Sequence, residues 1–308
     1  VPPPPAAATP LPPFGQGFLV SSLLGCSILW ASGFLFIKLS GDLNPFAIAA
    51  MRGLLGAASL GLWFAVQGKR LLPEPGELRT WLILGALNGW VPNVLVSYAL
   101  TQIATASAAM VQAAGPLIVA VMSHVLFPDE RLTRPRFLGV LIGFVGMGIL
   151  IGPAALPESG ISPTGSLAMV AVTLSYASAN LYVRTIRSAD PARLALGQQV
   201  CSGLPATVLT LAIAGPAAFA AVPSHLGPIL ALGVAATAVP MLLFMRLIRR
   251  AGPTRASMVG YLLPVWTAIL AVVFLDERIG AREIVGGSVV LAGVALVTFS
   301  GRRIAPAR

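Results

Sequence analysis

Ten apolar runs follow one another along this chain, at 16–38, 45–66, 79–100, 104–126, 135–152, 163–184, 193–214, 225–247, 254–275 and 282–300. Each is close to the roughly 20 residues that a bilayer-spanning helix needs. Short joints rich in turn formers separate them: Asn44-Pro45, Pro73-Glu74-Pro75-Gly76, Pro128-Asp129, Pro157, Asp190-Pro191 and Gly252-Pro253. None of these joints is long enough to hold an extramembrane domain. The pattern predicts an all-α integral membrane protein with ten transmembrane helices. Residues 1–13, VPPPPAAATPLPP, form a Pro/Ala tail that cannot be helical and is expected to be disordered. No charged stretch followed by a cleavage site precedes the first run, which therefore reads as a membrane helix and not a secretory signal. Residues 302–308 read as a basic tail.

Composition agrees with this picture. Of 308 residues, 56% are hydrophobic and 10% charged, against about 25% charged in an average soluble domain. So few charges cannot cover a water-facing surface, so the lipid bilayer is the expected surrounding. The net charge of +10 would suggest nucleic acid in a soluble protein, but the basic residues sit in short groups between apolar runs. That is the distribution of topology-setting charges, and no nucleic-acid partner is expected. With an inside N-terminus, sixteen basic residues fall on the inner side: Lys69, Arg70, Arg79, Arg131, Arg134, Arg136, Arg184, Arg187, Arg193, Arg246, Arg249, Arg250, Arg255, Arg302, Arg303 and Arg308. Three, Lys38, Arg278 and Arg282, fall on the other. Both termini are therefore expected to be cytoplasmic. Misplacing one span would exchange every later loop and destroy the bias.

The second half of the chain repeats the first. Ala108-Ala109-Met110-Val111 with Pro116 matches Ala256-Ser257-Met258-Val259 with Pro264, 148 positions on. Phe127-Pro128-Asp129-Glu130-Arg131-Leu132 matches Phe274-Leu275-Asp276-Glu277-Arg278-Ile279, and Gly139 and Gly146 match Gly286 and Gly293, at an offset of 147. Gly85 and Val91-Pro92 match Gly233 and Val239-Pro240, while Trp30-Ala31-Ser32 matches Tyr176-Ala177-Ser178. The expected organisation is a first five-helix repeat over 14–152 and a second over 153–301. An odd number of spans per repeat makes the second enter from the opposite side, so the repeats are inverted. Secondary transporters commonly use this arrangement, with a site near the midplane between the repeats.

Ten spans in a five-plus-five inverted repeat, a proline in the fourth and ninth, and Asp-Glu-Arg after each resemble the EamA-type members of the drug/metabolite transporter superfamily. The resemblance covers roughly residues 18–300. Within the superfamily the chain is most similar overall to the YddG-type bacterial amino-acid exporters. The resemblance implies export of amino acids, aromatic and other neutral ones foremost, across a bacterial inner membrane. Direction in particular comes from the resemblance alone.

Pro92, Pro116, Pro240 and Pro264 fall near the middle of their spans and are the candidate helix breaks or gates. Each removes one helical hydrogen bond and frees a carbonyl, which in lipid must find protein or a wet cavity. Pairing across the repeats puts all four at similar depth. A central cavity bounded by spans 3, 4, 8 and 9, with spans 1 and 6 contributing, is the expectation; packing alone is the alternative role for the prolines. Trp30, Ser32, Asn88, Trp90, Asn93, Tyr98, Gln112, Tyr176, Asn180 and Trp266 are the candidate substrate-binding residues. Buried polar groups in a membrane face the bundle interior, where each either pairs with another helix or meets the cavity.

All ten acidic residues lie in loops or at span ends, so a buried carboxylate relay is not expected. Arg52 is the one cation inside a span. It either snorkels to the surface about 10 Å away or bonds carbonyls, or it binds a substrate carboxylate. Its counterpart in the second repeat is Gln198. Glycines 139, 143, 146, 148, 286, 287 and 293 are expected to let the fifth and tenth spans pack closely. A monomer is expected, with a homodimer as the alternative. No metal, cofactor or catalytic residue is expected. Cys26 and Cys201 read as small core residues, and no His-Glu-x-x-His, Gly-x-Ser-x-Gly or Cys/His cluster points to a membrane enzyme. The main rival function is efflux of drugs or other small metabolites, weakened for cations by the absence of acidic groups.

Overall fold

A computed structural model of the chain describes residues 16–126, 132–151, 162–186, 190–251 and 259–299. The tails at 1–13 and 302–308 and the first Asp-Glu-Arg, Asp129–Arg131, lie outside them. Among the described residues there are no strands. The helices are α1 (Gln16–Leu39), α2 (Pro45–Val66), α3 (Glu77–Gly85), α4 (Val91–Gln102), α5 (Thr105–Gln112), α6 (Gly115–Leu126), α7 (Arg134–Ile151), α8 (Pro163–Thr185), α9 (Pro191–Ala214), α10 (Leu226–Leu230), α11 (Val239–Ala251), α12 (Val259–Leu275) and α13 (Ala281–Phe299). Two π-helical segments, Ala86–Trp90 and Ala231–Ala238, join α3 to α4 and α10 to α11. Among the described residues, seven continuous helical stretches are long and apolar enough to cross a bilayer. The remaining spans are α7, α12 and α13, with 18, 17 and 19 residues, all within the crossing range.

Sequence chemistry sets the helix starts. Asn44, Ser162 and Asp190 each turn a side-chain oxygen onto a backbone N–H of the first turn, with proline as the first helical residue. Proline fits there because its missing N–H would have no helical partner anyway. Asn44-Pro45 and Asp190-Pro191 occupy equivalent places in the two repeats, so both second helices start the same way.

Inverted duplication is visible in the packing. The most extensive contact joins α7 to α13, the fifth helix of each repeat, and the next joins α2 to α9, the second of each. Outside these two seams the contacts come in related pairs. Helix α1 lies on α12 as α8 lies on α5 and α6, and α4 lies on α8 as α11 lies on α1. Helix–helix association in lipid relies on close van der Waals packing, and the glycines provide it. A Cβ on Gly146 would come within 2.6 Å of the Val290 nitrogen, and one on Gly293 within 2.5 Å of the Gly143 nitrogen. Large side chains such as Leu62, Leu141, Val145, Val208 and Leu211 are exposed on the outer helix faces. In a bilayer these faces meet acyl chains.

The prolines act unequally. Pro92 and Pro240 each follow a π segment, which takes up the ring clash and the missing N–H with a wider turn. Pro116 lies in the first turn of α6, after a break at 113–114 that divides the fourth span into α5 and α6. Pro264 sits inside the continuous α12. The four candidate prolines thus give two π segments, one break and one uninterrupted helix.

Candidate functional site

A cavity of about 550 Å³ lies between the repeats. Its walls come from α1 (Trp30, Gly33, Phe34, Ile37), α2 (Arg52), α3 to α4 (Leu84, Asn88, Asn93, Val96), α5 (Gln112), α8 (Tyr176, Asn180, Val183), α9 (Pro191, Leu194, Ala195, Gln198, Gln199), α11 with its π segment (Thr237, Met241, Phe244) and α12 (Leu263). The cavity reaches from Pro191, the first residue of α9, to Ile37 near the opposite end of α1. Helices α7 and α13 stay outside it.

The freed carbonyls of the first π segment are satisfied by protein. Four residues before Pro92, the Asn88 carbonyl accepts Gln198 Nε2 at 3.3 Å, and Asn88 Nδ2 donates to Gln198 Oε1 at 2.8 Å. Ser175 Oγ donates to the Leu87 carbonyl at 2.6 Å. Gly89 completes the close fit, since a Cβ there would lie 2.6 Å from the Ser202 Cβ. In the second π segment the Thr237 hydroxyl donates to the Leu232 carbonyl at 2.8 Å. The same oxygen accepts from Arg52 Nε–H at 3.0 Å. Arg52 and Gln198, counterparts in the two repeats, therefore hold the facing π segments at equivalent places. Arg52 lines the cavity instead of snorkelling to the surface and bonds no carbonyl of a described residue, which corrects the first of its two expected roles.

Six of the ten candidate residues line this cavity: Trp30, Asn88, Asn93, Gln112, Tyr176 and Asn180. The side-chain amides of Asn93, Gln112 and Asn180 have no hydrogen bond to a described residue, and so remain available to a solute. Trp30 stacks at a tilt on Phe244, with ring centroids 5.0 Å apart. Ser32, Trp90, Tyr98 and Trp266 are not brought to the cavity. The Ser32 hydroxyl turns back to the Leu29 carbonyl at 2.7 Å. Trp90, rotated by the extra residue of the π segment, packs against the buried cluster of Ala49, Ala50, Val94 and Ala206. Tyr98 is on the outer face, 3.3 Å from the Thr164 hydroxyl, and Trp266 lies off the cavity wall, between the exposed Val265 and the buried Thr267. Pro264 lines a separate apolar groove between α5, α12 and α13, and none of the four candidate prolines lines the central cavity.

Phe34, Thr237, Met241 and Phe244 belong to the wall and were not among the candidates. The repeat itself carries the signal: Asn180 maps onto Phe34 at offset 146, and Asn93 and Val96 map onto Met241 and Phe244 at offset 148. The same mapping exposes a chemical asymmetry. Asn93 on α4 and Asn180 on α8 carry amides, while their counterparts, Met241 on α11 and Phe34 on α1, carry none. Spans 2 and 7 also join the wall, beyond the six spans expected.

The two ends of the cavity differ. At the end where α5 begins, Glu277 accepts from the backbone nitrogens of Thr105 and Ala106 at 3.0 and 3.4 Å. Ser107 donates to Glu283 at 3.2 Å. The second Asp-Glu-Arg thus ties the connection between α12 and α13 to a helix start in the other repeat. At the opposite end, Arg193 holds Glu77 at 2.6 Å and donates to the Arg70 and Leu72 carbonyls. No group of three or more His, Cys, Asp or Glu able to hold a metal occurs among the described residues, and both cysteines are free and buried.

A helical, inverted-repeat membrane bundle enclosing a polar, solute-sized cavity defines the class of membrane carriers for small molecules. The chain belongs to the EamA-like transporter family, within the drug/metabolite transporter superfamily; the family pattern matches twice, over residues 18–152 and 163–299. Among its relatives is the uncharacterized transporter YoaV of Bacillus subtilis, 20% identical over 91% of this chain and 97% of its own. Protein PecM of Dickeya dadantii is 26% identical over 82% and 83% of the two chains. An uncharacterized transporter of Archaeoglobus fulgidus is 24% identical over 87% and 94%. A solved crystal structure superposes with a TM-score of 0.66 over 94% of this chain and 100% of that one, at 19% identity, a likeness of fold. The protein is a multi-pass membrane transporter handling small molecules within the lipid bilayer.

Proposed function

We propose that this transporter exports amino acids, aromatic and other neutral ones, across a bacterial inner membrane by alternating access, as a monomer with both termini in the cytoplasm. The cavity between the repeats carries the reading. Trp30, Phe34 and Phe244 give it an apolar wall for varied side chains, and the unclaimed amides of Asn93, Gln112 and Asn180 face that wall. Apolar walls separate similar side chains weakly, so specificity is broad. The inverted repeats supply two related conformations: in one the Glu277 end is fastened and the cavity reaches the Pro191 end, and exchange of the repeats' roles reverses the access. With Pro191 at the cytoplasmic end, the first of these states receives solute from the cytoplasm.

Efflux of cationic drugs is the weaker reading, because no acidic residue lines the cavity among the described residues. For the same reason movement follows the solute gradient without a buried carboxylate relay. The test is uptake of labelled phenylalanine, methionine and threonine into proteoliposomes. Saturable flux that falls at least tenfold in a folded Asn93→Ala protein supports the reading. Flux of none of the three above empty vesicles refutes it, and uphill transport driven by a pH gradient refutes the uncoupled mechanism.

A further inference from the structure

Arg52 lies seven residues into α2, about 10 Å from its start, and is the one charged side chain in the cavity wall among the described residues. An ion this deep is costly unless it is paired. Its only hydrogen bond to a described residue runs from Nε to Thr237, leaving both terminal nitrogens unclaimed. That bond also orients the group: Thr237 is fixed by its own donation to Leu232, so the guanidinium edge formed by the two terminal nitrogens is held in one direction.

The fold does not require the charge. Gln198 performs the equivalent task in the other repeat, bridging to the facing π segment with a neutral amide. A glutamine at 52 would meet the same need at the same depth, and the guanidinium therefore supplies something beyond packing. The pair of parallel N–H groups that a guanidinium edge presents matches a carboxylate bidentately. For an ammonium group the same walls offer only neutral acceptors, the amides and the Tyr176 hydroxyl. The charge balance of the cavity is therefore completed by an anion, while a zwitterion leaves the excess positive charge in place.

We propose that Arg52 anchors a carboxylate of the solute, and that the site recognises monocarboxylates with an apolar or aromatic body whether or not they carry an ammonium group. This rests on the carrier reading above and narrows it. Three probes separate the elements: phenylalanine, 3-phenylpropionate, which lacks the ammonium, and phenylalaninamide, which lacks the carboxylate. Binding to the purified protein is measured by calorimetry, and transport by uptake and competition in proteoliposomes.

The expected result is phenylpropionate binding within about tenfold of phenylalanine, with phenylalaninamide ten- to a hundredfold weaker, the range of a charge-assisted hydrogen bond. Arg52→Gln, which copies the residue type of Gln198, should abolish the preference for carboxylate over amide. Arg52→Lys keeps the charge, loses the fork and should keep part of the preference. Equal binding of the amide and phenylalanine by the unaltered protein overturns the anchor without needing any variant to fold. So does a preference that survives Arg52→Gln. If amino acids show no flux but phenylpropionate binds through Arg52, the amino-acid reading fails and the anchor stands.

Discussion

Replacing Gly293 by alanine tests the seam on which both repeats lean. The added Cβ would sit 2.5 Å from the Gly143 nitrogen and 2.6 Å from the Gly139 oxygen, both backbone atoms that no rotamer change can move. Ordinary contact begins at 3.4 Å, so α7 and α13 must part locally by 3.4 minus 2.5, or 0.9 Å. A gap of that order forfeits a quarter to a half of each dispersion contact along the interface. Overpacking of this kind costs about 1–3 kcal/mol, and up to about 1 kcal/mol returns from alanine's better helix propensity. A net loss of about 1–2 kcal/mol, or roughly 5- to 30-fold in the folded-to-unfolded ratio, is expected. Gly148→Ala is the control on α7, because a Cβ there meets nothing within 4 Å. Cys26 and Cys201 are buried free thiols, so a thiol-reactive fluorophore added during a thermal ramp reports unfolding directly. Gly293→Ala should label at a lower temperature than both the unaltered protein and Gly148→Ala. Melting of Gly293→Ala at or above the control would refute the close-packed seam.

Three more outcomes rest on particular contacts. Arg193→Ala removes two carbonyl contacts and a largely shielded ion pair, with side chains 13% and 18% exposed, and should cost about 2 kcal/mol; a double-mutant cycle with Glu77→Gln that shows no coupling would contradict this. Gln198→Leu leaves the Asn88 carbonyl and amide without partners and should cost about 1–3 kcal/mol in the same thermal assay, whereas unchanged melting would mean the π segment needs no such support. Glu277→Gln keeps an acceptor at the start of α5 and loses only the charge, about 0.5 kcal/mol. Glu277→Ala loses both, about 1–2 kcal/mol, and equal losses would deny the hydrogen bonds to Thr105 and Ala106 any weight.

Much of the architecture is written in local sequence. Apolar length predicts membrane crossing wherever a run nears 20 residues, and Asn44-Pro45 and Asp190-Pro191 mark helix starts by capping chemistry confined to a few residues. The recurrence of Val-Pro, Gly and Asp-Glu-Arg at offsets of 147–148 states the duplication before any contact is known. Those signals need only bonded neighbours and the bilayer, so they survive without tertiary information. Which wall a polar side chain faces is a different matter. Trp90 and Asn88 are two residues apart, yet one packs against the Ala49, Ala50, Val94 and Ala206 cluster while the other meets the cavity, because a π segment adds a residue to the turn and rotates the side chains after it. Pro116 and Pro264 match in sequence, yet one span breaks and the other continues, which the local sequence around the two prolines does not announce. Arg52 was ambiguous because a long cationic side chain at mid-depth has three outlets: surface, carbonyls or cavity. Only the position of Thr237, 185 residues away in the chain, decides among them. Sequence alone determined the number of spans, their inverted duplication and their chemistry; tertiary packing decided which of those groups meet, because rotation about a helix axis is set by non-local contact.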